Sequence, residues 1–230
     1  MSDALDKVAG LTRLPIFPLP LVMLPNELLP LHIFEERYRT MLIDIETQRN
    51  VFGIALFEPQ RPFVDKPAAG TVGTVAEVRE SEMLPDGRSN ILTVGVVRFR
   101  IIDYVETGDP YFVADVEFFE DEDADDVGPL ADEVFHLFER MAKAAFKLGG
   151  ERGELPEIQQ TDPQSLSFLI TAAFNFENEK KQALLEMTST RERLTDLRQI
   201  LAQTVVQMEQ TADIHSAAKT NGHSKKKLDL

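Results

Sequence analysis

Hydrophobic positions follow two different rhythms along the chain. Between residues 51 and 119, four runs rich in β-branched and aromatic residues predict β-strands. They are VFGIALFE (51–58), TVGTVAEVRESEML (71–84), ILTVGVVRFRIIDYV (91–105) and YFVADVEFF (111–119). From about residue 128 onward, apolar residues recur at helical spacing instead. Because the strands precede the helices rather than alternate with them, the pattern predicts an α+β protein.

Helices are predicted at five places. FEERYRTMLIDIETQ (34–48) interrupts the strand region, LADEVFHLFERMAKAAFKLG (130–149) carries one apolar stripe, and NEKKQALLEM (178–187) is short and amphipathic. Asp162 and Pro163 have the residue types of an N-cap and a first helical position. Ser189 opens a capping-box spacing before a long helix. The apolar face of that helix holds Leu194, Leu197, Leu201, Val205 and Met208.

The most apolar segment is LPIFPLPLVMLPNELLPLHIFEERYR (14–39), and it contains five prolines. It is long enough to span a membrane, but each proline removes a backbone donor and prevents a continuous helix. The leader before it carries Asp3 and Asp6 where a signal peptide has positive charge. We therefore expect a soluble, cytoplasmic protein with no membrane partner.

Charge disfavours nucleic acid as a partner. The chain has a net charge of −15 and a pI near 4.7, and such a field repels phosphate backbones. Residues 211–230 hold four lysines and two aspartates, a local +2, so the rest carries −15 − 2 = −17. We expect this basic tail to be disordered, with a weak docking arm as the alternative. Arg98-Phe99-Arg100 is the one place where arginine and aromatic side chains alternate as stacking platforms require.

An acid-rich stretch, EFFEDEDADDVGP (117–129), separates the two halves. Its spacing does not fit a calcium loop, which needs glycine at its sixth position and glutamate at its twelfth. The stretch predicts a solvated linker over residues 120–128, with opportunistic cation binding as the alternative.

Motifs for catalysis are absent from the sequence. There is no GxxxxGK[ST] phosphate loop, no HExxH metal site, no GxSxG elbow and no cysteine. His32 lies in an apolar run and is predicted to be structural, and His136 to face solvent. We therefore predict no catalytic residue, no cofactor and no metal. An enzyme of unrecognised type stays open, and it would gain support if Glu35, Glu36, Glu77 and Glu80 converged in one cleft.

The proline-rich segment resembles the start of the Lon-protease N-terminal, substrate-binding domain, in the version found in stand-alone Lon-domain proteins. The resemblance rests on LPIFPL (14–19), LP (24–25) and PLHIFEERY (30–38), and it continues through GTVAEV (73–78), LPDGR (84–88), GVVRFRI (95–101), EKKQALLE (179–186) and RERL (191–194). These motifs occur in the family's order over residues 12–208.

The resemblance implies a fold and a role. It implies an irregular, β-barrel-like (PUA-like) subdomain with one helix over residues 12–119, an acidic linker at 120–128, a helical bundle at 129–210 and the tail at 211–230. The implied function is a non-catalytic protein- or peptide-binding module, acting as an adaptor or holdase for unfolded or exposed hydrophobic segments and working with a separate protease or chaperone. The chain contains neither the ATPase phosphate loop nor the Ser-Lys protease domain of full-length Lon, so neither ATP hydrolysis nor proteolysis is expected.

Candidate contact residues for a bound polypeptide are Leu19, Leu21, Val22 and Met23, because a proline-bracketed loop cannot bury every side chain it carries. Methionine suits promiscuous contacts. The alternative reading of these four positions is barrel core. The alternative function is a scaffold or assembly subunit that binds one dedicated partner through its C-terminal helices, which requires that the leucine stripe of the last helix be uncovered.

Overall fold

The computed structural model describes residues 3–58, 66–122, 126–149 and 159–221. The chain divides into two compact units. The barrel unit contains Met1–Glu122 and Thr171–Thr188, and the helical unit contains Asp123–Ile170 and Ser189–Leu230. The elements, in chain order, are α1 (Asp3–Val8), β1 (Arg13–Leu19), β2 (Leu28–Ile33), α2 (Glu36–Glu46), β3 (Val51–Leu56), β4 (Val72–Met83), β5 (Ser89–Val105), β6 (Phe112–Phe119), α3 (Gly128–Gly149), α4 (Pro163–Ala173), α5 (Asn178–Glu186) and α6 (Thr190–Asn221).

The α+β prediction is confirmed, and the four predicted strands correspond to β3–β6. The one helix predicted within residues 12–119 is α2, and a short helix, α1, precedes that range. The sheet order is β2-β5-β4-β3-β1-β6, and a further β5–β6 pairing closes five strands into a barrel. β2 lies outside the closed ring and pairs with β5 alone. The 17-residue length of β5 makes this possible, since its first part pairs with β2 and its second part with β6.

The prolines of the apolar segment occupy strand positions that tolerate them. Residues 13–16 of β1 pair with β6, whereas residues 16–19 pair with β3. Pro15 therefore pairs only with Val113, and Pro18 only with Ala55. Pro30 lies in the edge strand β2. A proline cannot donate to a ladder, so strand positions with one unpaired side accommodate it.

Helix α2 covers one face of the strands. Its buried side chains are Tyr38, Met41 and Ile45, whereas Leu42 is half-buried and Phe34 precedes the helix and is 61% exposed. The three buried side chains join a core cluster with Phe17, Met23, Ile33, Phe52, Ile54 and Ile91. The predicted turn at LPDGR is present, with Gly87 at φ 81° and its N–H donating to the carbonyl of Leu84.

Arg98 ties the end of α5 to the barrel. Its guanidinium donates to the carbonyl oxygens of Leu185 (3.0 Å) and Met187 (2.6 Å) and to Oδ1 of Asp121 (2.5 Å). The Arg98 and Asp121 side chains are 1% and 4% exposed. The prediction that residues 120–128 are solvated is therefore wrong at Asp121, because its side chain is buried in this ion pair. Residues 123–125 lie outside the described residues.

The domain boundaries differ from the prediction. Residues 171–188 belong to the barrel unit rather than to a bundle over 129–210, because α5 is held to the strands by Arg98 and by Gln182, whose Nε2 donates to the carbonyl of Val72. The boundary between the units falls inside α4.

In the helical unit, α3 packs on α6. The predicted start signals are confirmed, because Asp162 accepts from the Ser165 N–H (2.9 Å) and Ser189 from the Glu192 N–H (3.2 Å). Arg193 is buried with its guanidinium 4.1 Å from the Phe168 ring centroid. Helix α6 continues to Asn221, so the tail predicted to be disordered from residue 211 is helical to that point; residues 222–230 lie outside the described residues. None of the described helices is both long and apolar enough to cross a membrane.

Candidate functional site

The four predicted contact residues occupy two different environments. Val22 and Met23 are 4% and 2% exposed, whereas Leu19 and Leu21 are half-buried and pack against the α2 core cluster. The burial of Val22 and Met23 corresponds to the barrel-core alternative. Only Leu19 and Leu21 keep surface that a bound polypeptide could contact without rearrangement.

Three hydrogen bonds fix the segment from Met23 to Glu27. The Thr74 hydroxyl donates to the carbonyl of Met23 (2.6 Å), the Asn26 N–H to that of Gly95 (2.9 Å) and the Gly95 N–H to that of Glu27 (2.9 Å). A Cβ atom at Gly95 would overlap the carbonyl oxygen of Leu24. Glycine at position 95 therefore allows the loop to lie directly on β5, and this close approach buries Met23.

A groove with a volume of about 1280 Å³ lies on the described part of the barrel unit. We call it the barrel groove. It lies where β3 ends, β5 turns into β6 and α5 begins. Its apolar surface comes from Leu56, Phe57, Pro67, Ala68, Ala69, Tyr104, Val105, Tyr111, Phe112 and Val113.

An aromatic pair forms one wall of the barrel groove. The rings of Tyr104 and Phe112 meet edge to face with centroids 5.9 Å apart. The ammonium group of Lys66 lies 4.3 Å from the Tyr104 centroid and 5.4 Å from that of Phe112. The Tyr104 hydroxyl donates to the carbonyl of Pro67 (2.9 Å). The aromatic pair thus already holds a cation, in the geometry of a cation–π interaction.

Carboxylates outnumber cations around the barrel groove. Among its described lining residues, five acids face one lysine, Lys66, which gives −5 + 1 = −4. Three of the acids are exposed, namely Asp103 near the end of β5 and Glu106 and Asp109 in the β5–β6 turn. The other two are Glu58 and Glu179. A groove with an apolar lining and an excess of carboxylates suits a ligand that carries apolar groups together with positive charge.

The barrel groove adjoins the predicted contact segment. The Phe57 N–H donates to the carbonyl of Leu19 (2.8 Å), and the Asn178 amide donates to the carbonyl of Pro20 (3.1 Å) and to Glu58 Oε1 (2.7 Å). Phe57, Glu58 and Asn178 all line the groove. In the sequence YVETGDPYF (104–112), the two ends belong to predicted strands, and the residues between them were predicted only to connect those strands. Aromatic residues on both sides of an acidic turn were the available signal for a groove.

A second, smaller groove of about 360 Å³ lies beside α2. Its apolar lining includes Leu42, Ile43, Val78 and Met83, and Ile43 and Met83 are 59% and 72% exposed. Glu36 and Glu46 lie in it together with Arg39, so it has little charge bias and a quarter of the volume of the barrel groove.

The groups considered for catalysis do not converge. Glu36 alone of the four acids considered lines the smaller groove; Glu77 pairs with Lys7 (2.7 Å) and Glu35 with Arg37 (2.8 Å). His32 is exposed, with Nδ1 2.7 Å from Asn90 Oδ1. Within the described ranges, no group of three or more histidines and carboxylates is placed to hold a metal ion. Arg98 is engaged inside the barrel unit and is not available to stack on a base.

Two titratable groups are perturbed by burial. Burial raises the pKa of Glu27, opposed by the Leu24 N–H, which donates to its carboxylate at 2.8 Å. Burial also raises the pKa of Tyr111. The Asp44 carboxylate, which accepts a hydrogen bond from the Tyr111 hydroxyl at 2.8 Å, adds to that increase. Both hydrogen bonds are structural: the first closes the Leu24–Glu27 turn, and the second fixes α2 to the start of β6.

The leucine stripe of α6 is covered within the helical unit. Of the predicted apolar face, Leu194, Leu197, Leu201 and Val205 are at most 1% exposed, and Met208 is half-buried. Val134 and Phe138 of α3 are buried as well. The stripe therefore serves the core of this unit.

Comparisons with known proteins place these features in context. The profile of the ATP-dependent protease La (LON) substrate-binding domain matches residues 13–203. The Lon protease of Cytophaga hutchinsonii is 27% identical over 227 residues, which cover 94% of this chain and 27% of that protein. The Lon protease of Brevibacillus choshinensis is 28% identical over 200 residues, covering 84% of this chain and 25% of that protein. The chain thus spans about a quarter of the length of these relatives.

Solved structures share the fold. The Lon N-terminal domain protein from Xanthomonas campestris aligns with a TM-score of 0.58 and 22% identity, covering 81% of this chain and 97% of that one. The N-terminal domain of the Mycobacterium avium complex Lon protease aligns with a TM-score of 0.62 and 19% identity, covering 83% and 98%.

Proposed function

Because this chain belongs to the family of the LON substrate-binding domain, we propose that it is a non-catalytic module that binds unfolded polypeptides or exposed hydrophobic segments. In this proposal it acts as an adaptor or holdase, keeping a bound segment accessible to a separate protease or chaperone. The barrel groove is the proposed binding site.

The observation that supports this function is the apolar lining of the barrel groove. Ten apolar or aromatic residues line a groove of about 1280 Å³, a volume above the range common for small-molecule pockets. Recognition of unfolded segments requires apolar surface that is accessible in the folded protein. Leu19 could contact a bound segment at the edge of the groove, since its carbonyl accepts a hydrogen bond from the N–H of Phe57, which lines the groove.

The test is fluorescence anisotropy with labelled lysozyme that has been reduced and carboxamidomethylated, so that it cannot refold. Folded lysozyme carries the same side-chain charges and is the matched control ligand. We expect saturable binding of the unfolded form only, surviving moderate salt. Absence of binding, or equal binding of the folded form, would contradict the proposal.

Variants then locate the site. Ala68 and Ala69 line the barrel groove and are exposed, so replacing both by glutamine places polar bulk in the groove without disturbing the core. Ala183 is also exposed but lies on α5 outside the groove, and Ala183→Gln is the control. We expect severalfold weaker binding in the first variant and unchanged binding in the second.

A dedicated-partner scaffold is the alternative function. Its main support would be an uncovered stripe on α6, and that stripe is buried within the helical unit. Among the described side chains of α6, Val206 and Ile214 are the exposed large hydrophobic ones, at 48% and 72% exposed. They are too few to favour this function over the first.

A further inference from the structure

We propose that the barrel groove selects polypeptide segments in which a lysine or arginine lies among apolar residues, and that Lys66 fills the position of this cation when no segment is bound. The inference rests on the proposed function and specifies its ligand class. Two independent features support it: the aromatic pair with its internal cation, and the charge of the groove.

The aromatic pair shows how a cation would be held. Lys66 contributes its ammonium group to the faces of Tyr104 and Phe112, and within the described residues it makes no ion pair. A cation over two rings is attracted by their quadrupoles, more strongly as water is excluded. A lysine or arginine side chain of a bound segment would find the same two ring faces, and Lys66 would have to move aside for it.

The charge of the groove shows why such a segment is preferred. With five acids and one lysine along its walls, the groove attracts positive charge and disfavours a segment rich in aspartate or glutamate. Asp103, Glu106 and Asp109 are close in sequence to the aromatic pair and exposed, so their carboxylates can act on any incoming cation. Because these carboxylates are exposed, salt weakens their effect.

The smaller groove beside α2 lacks both features. Its charged lining residues include Glu36, Glu46 and Arg39, and its described lining contains no tyrosine, phenylalanine or tryptophan. A charge preference in binding would therefore report on the barrel groove.

The experiment uses three labelled peptides with matched leucine and phenylalanine content that carry lysine, glutamine or glutamate at the same positions. Binding to the full chain is measured by anisotropy at low and high salt. We expect the lysine peptide to bind on the order of tenfold more tightly than the glutamine peptide, the glutamate peptide to bind most weakly, and the differences to shrink with salt.

Two variants with equal net charge distinguish the effect of the carboxylates in the groove from the effect of the net charge of the whole chain. The groove variant combines Asp103→Asn, Glu106→Gln and Asp109→Asn. The control variant combines Glu80→Gln, Glu82→Gln and Glu117→Gln, which are exposed positions of the barrel unit outside the groove. Each has a net charge of −15 + 3 = −12. We expect the preference for lysine to be lost in the groove variant and kept in the control variant; an equal loss in both would overturn the inference.

Lys66→Met should strengthen binding of the lysine peptide, whereas the groove variant should weaken it. Removing the internal cation frees the aromatic pair and leaves the groove at −5, so the lysine peptide should bind severalfold more tightly. Weaker binding of the lysine peptide by this variant would overturn the inference.

Unfolded lysozyme, measured in the same series, separates the two proposals. If it binds but the three peptides bind equally or not at all, the selection of cations is wrong while polypeptide binding stands. If unfolded lysozyme itself does not bind, the proposed function fails.

Discussion

The guanidinium of Arg98 lies 2.5 Å from the carboxylate of Asp121, and both side chains are almost completely buried. Arg98 also donates to the carbonyl oxygens of Leu185 and Met187 at the end of α5, and its guanidinium lies 4.6 Å from the Phe119 ring centroid. One side chain on β5 therefore fixes both Asp121, two residues after the end of β6, and the end of a helix more than eighty positions away. Because α5 begins at the barrel groove, this arrangement also positions Asn178 and Glu179 there.

Replacing Arg98 should strongly destabilise the barrel unit. Arg98→Met leaves the Asp121 carboxylate buried without its cation, which costs about 3 to 5 kcal/mol. Chemical denaturation followed by circular dichroism measures the change. Arg100→Met is the control, since Arg100 lies on the same strand but donates to the exposed carbonyl of Gly70 and should cost about 1 kcal/mol or less.

A second substitution tests the cause. If the uncompensated charge is responsible, Arg98→Met combined with Asp121→Leu should be more stable than Arg98→Met alone. Equal stability of Arg98→Met and wild type would contradict the role given to this ion pair.

Gly95→Ala should also destabilise the fold. The added methyl group would overlap the carbonyl oxygen of Leu24, so either the loop or β5 must shift, at a cost of about 2 kcal/mol or more. Thermal unfolding checks this, with Glu82→Ala at an exposed strand position as the control. A variant as stable as wild type would show that the loop does not need its close approach to β5.

Glu27 should make stability depend on pH with a defined sign. Burial raises its pKa above the ordinary value of 4.5, so the folded state retains a proton that the unfolded state loses. This contribution to stability is complete below pH 4.5 and is lost as the pH rises through the folded-state pKa. Glu27→Gln cannot ionise, and its amide oxygen can still accept from the Leu24 N–H.

The measurement is the free energy of unfolding of Glu27→Gln and wild type, below pH 4.5 and at neutral pH. The free energy of unfolding of the variant minus that of wild type should be larger at neutral pH than below pH 4.5. A difference that does not change with pH would show that the Glu27 carboxyl is not destabilised by its surroundings.

Local patterns were sufficient to predict much of the fold. β-Branched runs predicted β3–β6, and Asp162 and Ser189 marked helix starts, because caps and alternation depend on neighbouring residues. Arg98 could not be predicted to be buried, because its cover comes from Asp121 and from α5, which is distant in sequence. The short α1 was missed because its six residues show no sustained periodicity.

The candidate site was harder to predict than the fold. The sequence directed attention to Leu19, Leu21, Val22 and Met23 because they are apolar and bracketed by proline. Hydrogen bonds from Thr74 and Gly95, both remote in sequence, bury Met23 and fix its loop. The barrel groove combines four separate segments of chain, so its composition emerges only when the barrel closes.

The most direct test of the central claim is hydrogen–deuterium exchange of the full chain with and without unfolded, carboxamidomethylated lysozyme. We predict that binding slows exchange at residues 66–71 and 103–113, which line the barrel groove, and leaves α3 and α6 unchanged. Protection confined to α6 would contradict the claim and favour the scaffold alternative.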